Sequence, residues 1–415
     1  MGPKAEIPGK SSRIIDCYLF LGRNEKYGMI VLRSATTPPL ETLCESSSPL
    51  RIPSNFPSAT SEYTDFQITD WNKSPSAQLF LAWHNVTKQQ LVIKMLLPYQ
   101  DTRYSLETLA KRQQCLLEAL QRNRVFTPES YIGLAPLYLL DPLTKTIRIG
   151  EVTEDPAQTL LDADKEYVLL MKPQDQENRL DYLLRDREVD SLIPLVMYVT
   201  EIHHHKVFNL STEERTHWGS YDYLVQKLEH NLQLLDFLVN RCQESDWDDR
   251  EELANRAIEV RKMAQEFVFQ KDYGRYFQHR IDQGFIKLCH GDIKSPHIWI
   301  ASDGRNGQQA WSFNILDAID FNPMYNHIDI LSDFAMLIAD VQARTQSSLL
   351  VNEMVDCYLR ETNQDNEVDR AVLDFYILDK AIVGTGISIL YDDKPQLGRE
   401  FLKVAEHRLA VNTRC

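Results

Sequence analysis

From residue 76 onward the apolar positions fall into short, dense runs. SAQLFLAW and QLVIKMLL are strand-like and are joined by the polar HNVTKQ, a pattern that predicts a β-hairpin. Between Ser105 and Arg124 the apolar residues Leu106, Leu109, Leu116, Leu117 and Leu120 recur nearer a 3.6-residue period than alternation, which predicts a helix closed before Pro128. LAPLYLLD and TKTIRIGEV predict a second hairpin, and KEYVLLMKP (165–173) a strand ending at Pro173. Beyond that point residues 178–186, 189–208, 220–243 and 248–282 carry helical periodicity with few glycines or prolines. A β-rich part thus meets an α-rich part near Met171–Pro173.

Two features interrupt this plan. Ahead of the β-rich part, RIIDCYLFLGR and GMIVLRSA read as a hairpin turning near Gly28, and residues 36–61 are rich in Pro, Ser and Thr without period, as a linker is. Inside the α-rich part lie two β-like runs, GFIKLCHGD and HIWIASDG, the second expected to pair with AWSFNILDAIDF. The expected organisation is an N-terminal extension (1–61), an antiparallel sheet with one helix (62–172) and a mainly helical part (173–415). No internal repeat at twenty to fifty residues alters it.

Composition narrows the class. With 415 residues, 43% hydrophobic and 25% charged, the chain is long enough for two or three packed units. No signal-peptide core opens the sequence, and no apolar run approaches the roughly 18 residues of a membrane helix, so a cytoplasmic protein without membrane contact is expected. A formal charge of −15 argues against nonspecific nucleic-acid binding while tolerating a cationic substrate or a basic protein partner. The seven cysteines include no CxxC pair, against both a disulfide framework and a zinc ribbon. His203, His204 and His205 sit on a predicted helix, point in different directions and are expected to be structural or surface residues.

Candidate chemistry concentrates in three places: Lys94 on a strand, Asp292 in the loop CHGDIKSPHI, and Asp317 at the end of a later strand. A lysine can hold phosphate oxygens, one aspartate can orient or deprotonate a hydroxyl, and another can hold Mg²⁺. A lone strand lysine or a lone post-strand aspartate is weak evidence; the combination describes phosphoryl transfer.

The run HGDIKSPHIWI followed by ILDAIDFNPMYNHIDILSDFAML resembles the aminoglycoside phosphotransferase and protein-kinase-like superfamily. It is most similar to the bacterial phosphotransferase-like domain often fused to a P-loop ATPase, with its HGDLHxxN loop and its FDAIEFN and IDVxxDLAFL segments. LVIKMLLP, NRVFTPESYIG and YVLLMKP resemble that family's lysine strand, helix-to-strand turn and strand leading to the hinge. About residues 62–390 are covered.

The resemblance implies an α+β, two-lobed protein-kinase-like fold, with a small antiparallel-sheet lobe above a larger helical one. It implies ATP and Mg²⁺ as cofactors, Asp292 as the catalytic base or hydroxyl-orienting group, Asp317 as the principal metal ligand, and Lys94 on the α- and β-phosphates. Glu118, or a neighbour on its helix, would brace Lys94, and Met171 would stand at the nucleotide site. Lys294 would neutralise the transferred phosphate, and Asp329 and Asp333 would buttress the loop.

Two departures stand out. His297 occupies the place of the family's metal-binding asparagine, and imidazole suits Mn²⁺ or Zn²⁺ better than Mg²⁺. The site would then run on one ion at Asp317, use a metal that accepts His297, or have lost phosphotransfer. The hairpin LFLAWHNVTKQQ lacks glycines for a phosphate-cradling loop. No Walker A motif is present either, since VGTGISIL (383–390) lacks the lysine. The leading expectation is an ATP-dependent phosphotransferase acting on a hydroxyl, with a pseudokinase-type binding module as the alternative. A metal-dependent hydrolase using His290, His297, Asp292 and Asp317 is the third reading.

Overall fold

The computed structural model describes residues 63–412 apart from 74–75, 85–87, 101–104, 142, 156–160, 187–188, 270 and 304–309. The expected hairpin and linker before residue 62 lie outside the described residues.

Six strands form the first half: β1 (Thr64–Lys73), β2 (Ala77–Trp83), β3 (Gln90–Leu96), β4 (Tyr131–Asp141), β5 (Thr146–Ile149) and β6 (Tyr167–Met171), with helix α1 (Leu109–Phe126) between β3 and β4. They pair antiparallel in the order β1-β2-β3-β6-β4-β5, and β5 returns to β1, so the expected antiparallel sheet closes into a barrel. The closing strand β1 escapes the hydrophobic pattern because only Phe66 and Ile68 of its ten residues are buried and apolar. Register irregularities at Ile68/Asp70, Tyr131/Gly133 and Leu137/Leu139 supply the local bends that closure requires.

Alternation decides which side chains face where. Ile93 and Met95 join Phe66, Phe80, Ile147, Val168 and Leu170 in one core. On the opposite face Leu96, Leu169 and Met171 pack with Leu116 and Leu120 of α1 and with Leu316 and Trp299. Lys94, between Ile93 and Met95 and in register with Leu79 and Leu169, takes this second face, toward α1 and the 316–320 segment.

The second half is mainly helical: α2 (Leu180–Asp186), α3 (Ile193–His205), α4 (Thr212–Gly219), α5 (Tyr221–Glu244), α6 (Arg250–Phe267), α7 (Tyr273–Asp282), α8 (Pro323–Asn326), α9 (Ile330–Thr345), α10 (Ser348–Glu361), α11 (Glu367–Leu390) and α12 (Pro395–Asn412). The periodicity over 248–282 resolves into two helices, because the Asp272 side chain accepts from Arg275 N–H and starts α7 afresh. A reciprocal capping box, Ser211 with Glu214, begins α4. α11 is the hub, packed on α5, α9 and α12. Its Gly386 lets α5 approach, for a Cβ there would stand 2.5 Å from Leu234 Cβ. The VGTGISIL segment is therefore packing helix, not phosphate loop.

Five short strands complete the fold. β9 (Ile298–Asp303) and β10 (Ala310–Ile315) form the expected hairpin, while β8 (Ile286–Leu288) lies between β7 (Phe208–Asn209) and β11 (His327–Asp329). The HGD loop spans β8 to β9, and the 316–322 loop leaves β10 beside it. Among the described residues no helix is long and apolar enough to cross a membrane.

Candidate active site

The loop from Cys289 to His297 is fixed by backbone contacts before any chemistry is considered. Gly291 adopts φ +88°, and a Cβ there would stand 2.4 Å from the Tyr325 carbonyl oxygen, so only glycine fits. The Asp333 carboxylate, fully buried one turn into α9, accepts from the N–H groups of His290 (3.0 Å) and Gly291 (2.9 Å). His203 Nε2 donates to the same carboxylate at 3.2 Å, and its Nδ1 lies 2.7 Å from the Tyr358 hydroxyl. Burial alone would raise the Asp333 pKa; the hydrogen bond from His203 and that from the His290 backbone N–H hold it below its ordinary value instead. Further along, Ser295 N–H donates to Asp340 at 2.9 Å, and Arg344 pairs with that carboxylate.

His290 is a structural member of the loop. Its Nδ1 accepts from Asp292 N–H at 3.2 Å and its Nε2 lies 3.1 Å from the Leu316 carbonyl, which fixes the Nε2–H tautomer. Burial pushes its pKa down to about 4, so it stays neutral. With both ring nitrogens committed to backbone, His290 is not placed to ligate a metal.

Asp292 is 5% exposed. Lys294 Nζ stands 3.1 Å and His297 Nδ1 3.4 Å from its Oδ2, yet that oxygen accepts no aligned hydrogen bond. His297 Nδ1–H donates to the Asp292 carbonyl at 3.1 Å. Burial lowers the His297 pKa, so the ring is neutral with its Nδ1–H spent on the loop and a lone pair on Nε2.

Lys94 meets two carboxylates from the loop after β10: Asp317 Oδ1 at 3.7 Å and Asp320 Oδ2 at 3.5 Å. Burial would lower the lysine's pKa, but Asp320 and Asp317 more than offset it and keep the ammonium charged. Asp317 holds a left-handed backbone, φ +65°, which costs a non-glycine residue on the order of 1–2 kcal/mol. The surroundings impose it: Asp317 N–H donates to Tyr131 Oη (3.0 Å), Ala318 N–H to Asn123 Oδ1 (2.8 Å) and Ile319 N–H to the His290 carbonyl (2.9 Å), while Arg122 donates to the Ile319 carbonyl. The Asp317 side chain remains 33% exposed and can meet a ligand, whereas Asp320 is buried with Oδ2 lacking a hydrogen bond.

Lys94 and Asp317 thus come together, as do Asp292, Lys294 and His297, and the two groups are joined through His290 and the 316–319 backbone. Glu118 accepts from Gln114 of its own helix at 2.7 Å, and the carboxylates paired with Lys94 are Asp317 and Asp320. Met171 lies at the end of β6, 8% exposed, packed with Leu169 and Trp299. Asp320 stands in the string ILDAIDF three residues after Asp317, but nothing local shows that it meets Lys94. Of the three consecutive histidines, His203 is buried and His204 and His205 are exposed. Tyr131, Asn123 and Arg122 carry no local signal, since their partners lie more than 180 residues away.

Among the described residues no three His, Cys, Asp or Glu side chains are grouped so as to hold a metal ion by themselves. No family model matches the sequence, and no curated protein matches it. Among solved structures, the chain is similar to an ethanolamine kinase from Plasmodium vivax, with a TM-score of 0.39, 12% identity, and 83% of this chain and 81% of that one covered. It is also similar to a choline kinase from Cryptosporidium parvum, with a TM-score of 0.46, 10% identity, and 84% and 90% covered. The functional reading rests on the side chains themselves.

Proposed function

We propose that the chain is an ATP-dependent phosphotransferase acting on a hydroxyl, built as two lobes (about 62–172 and 173–415) with the nucleotide between them. The carrying observation is the meeting of a buried strand lysine, Lys94, with Asp317 and Asp320 beside a braced loop that presents Asp292. A structural ion pair would need one carboxylate; the second, Asp320, whose Oδ2 faces Lys94 at 3.5 Å without a hydrogen bond, and the partly exposed Asp317 fit a site that also takes a divalent cation. Mg²⁺ typically binds one or two protein carboxylates and completes its shell with phosphate oxygens and water, so a three-residue cage is not required.

In this reading ATP supplies the phosphoryl group, and a cation at Asp317 would neutralise its oxygens. Asp292 accepts the acceptor hydroxyl's proton or orients it. Lys294, 3.1 Å from Asp292, lies where it would offset charge on the transferred group. Lys94 would hold phosphate oxygens, and Asp333 keeps the loop in register for in-line attack.

A pseudokinase-type module is the second reading, favoured by the nitrogen that His297 offers where an oxygen ligand would serve Mg²⁺. The two separate in an assay of ADP formation with Mg²⁺ or Mn²⁺ and a panel of alcohol acceptors. Acceptor-stimulated ADP release that disappears in Asp317→Asn is expected. Bound nucleotide without turnover for any acceptor would favour the binding module.

A further inference from the structure

Lys94 Nζ stands 3.5 Å from Asp320 Oδ2 and 3.7 Å from Asp317 Oδ1, and among the described residues these are the carboxylates that reach it. The two are not alike. The Asp317 side chain is 33% exposed and open to a ligand, whereas that of Asp320 is 7% exposed and its Oδ2 accepts no aligned hydrogen bond. A buried carboxylate with an oxygen lacking donors is tolerated as an anion only beside a counter-ion, and Lys94 is the ammonium in contact with it.

Helix α1, which the sequence suggests as the source of the lysine's acid, turns other residues inward. Cys115, Ala119, Arg122, Asn123 and Phe126 form a buried stripe at helical spacing, while Glu118 lies beside that stripe with Gln114 as its partner at 2.7 Å. Toward Asp320 the helix offers the Cys115 thiol, its Sγ 3.9 Å from the Asp320 carbonyl oxygen. Asn123 Oδ1 accepts from Ala318 N–H at 2.8 Å, and the Ile319 carbonyl accepts from Arg122 and, at 2.8 Å, from Asn326 Nδ2. α1 thus fixes the backbone on which Asp320 stands and supplies no carboxylate to Lys94.

We propose that Asp320 is a positioning residue that holds the Lys94 ammonium in place and thereby leaves Asp317 to a divalent cation. The inference deepens the phosphotransferase reading and rests on it for its catalytic consequence. With Asp320 made neutral, Asp317 is the carboxylate left to Lys94, and the lysine then competes with a cation for it. One short loop, 317–320, therefore sets both the lysine that would hold phosphate oxygens and the carboxylate that would hold the cation.

Arg122, 7% exposed, is the other cation whose field acts with that of Asp320. Its guanidinium donates to the Ile319 carbonyl, one residue before the carboxylate. Were Asp320 the counter-ion of Arg122, neutralising it would be equally harmful with Lys94 present or absent. A partnership with Lys94 makes the two substitutions interdependent instead.

The test is a double-variant cycle on the full chain, read by urea denaturation without nucleotide or metal and by steady-state ADP formation. Asp320→Asn is expected to lower the urea midpoint of the wild type by roughly 0.5 M, and to raise the midpoint of Lys94→Met, where the carboxylate has lost its ammonium. A Lys94→Met chain that folds only when Asp320→Asn accompanies it is the same rescue in stronger form. Turnover is expected to fall about tenfold in Asp320→Asn, while adding that substitution to Lys94→Met should cost less than about twofold. An equal loss of midpoint in both backgrounds, or additive losses of turnover, would overturn the proposal. A wild-type chain without phosphotransfer contradicts the phosphotransferase reading alone, and the sign of the urea cycle then supports or overturns the pairing by itself.

Discussion

Asp292→Asn is expected to lower phosphotransfer turnover by roughly 10²–10⁴-fold, the range typical of a lost general base. ATP affinity should stay within about threefold of wild type, because the loss falls on the transition state rather than on ground-state binding. The substitution is nearly isosteric, and the loop does not depend on the carboxylate for its shape. The Asp292 backbone N–H is held by His290 and its carbonyl by His297, while Asp333 holds the two preceding amides. Removing the charge also leaves Lys294 without its anion at 3.1 Å. Steady-state kinetics paired with nucleotide titration separates the two effects; near-normal turnover would remove Asp292 from the chemistry.

The largest stability effect is expected at Arg280→Met, with a loss of about 3–5 kcal/mol, the range for breaking a buried ion pair from one side. Arg280 is fully buried, bidentate to Asp329 (2.6 and 2.7 Å) and bonded to Asp369 (2.8 Å), with its guanidinium 3.9 Å from the centre of the Phe285 ring. Methionine fills much of the volume but strands two carboxylates in the core. Asp329 is also the N-cap of α9, accepting from Leu331 N–H, so its release loosens the helix that carries Asp333. Urea denaturation measures the loss. A change below about 1 kcal/mol would mean that the network is a surface-like pair of little weight.

How much of this was legible in the sequence depended on the range of the interaction. Dense apolar runs mark β2, β3, β4, β5 and β6, but not which face Lys94 takes, since strands buried on both sides do not alternate. They could not mark β1, where Phe66 and Ile68 alone turn inward, nor barrel closure, which depends on β1 meeting β5. The apolar stripe over 248–282 ran across the break at Asp272 because α6 and α7 both feed the same core. The strings HGDIKSPHI and ILDAIDF displayed Asp292, Asp317 and Asp320 directly. Their supports were invisible, since His203 reaches Asp333 across 130 residues and Tyr131 reaches Asp317 across 186. A buried histidine in a run of three looks no different from its exposed neighbours until tertiary packing separates them.

The most direct test of the central claim is calorimetric titration of ATP into the full chain with Mg²⁺, with Mn²⁺ and with chelator. The account predicts saturable binding with a dissociation constant on the order of micromolar in the presence of a divalent cation. That binding should weaken by at least about tenfold when the cation is chelated, since a cation held by Asp317 would offset the charge of the phosphate oxygens. Absence of binding heat under all three conditions would contradict it, leaving Lys94, Asp317 and Asp320 as a buried structural cluster.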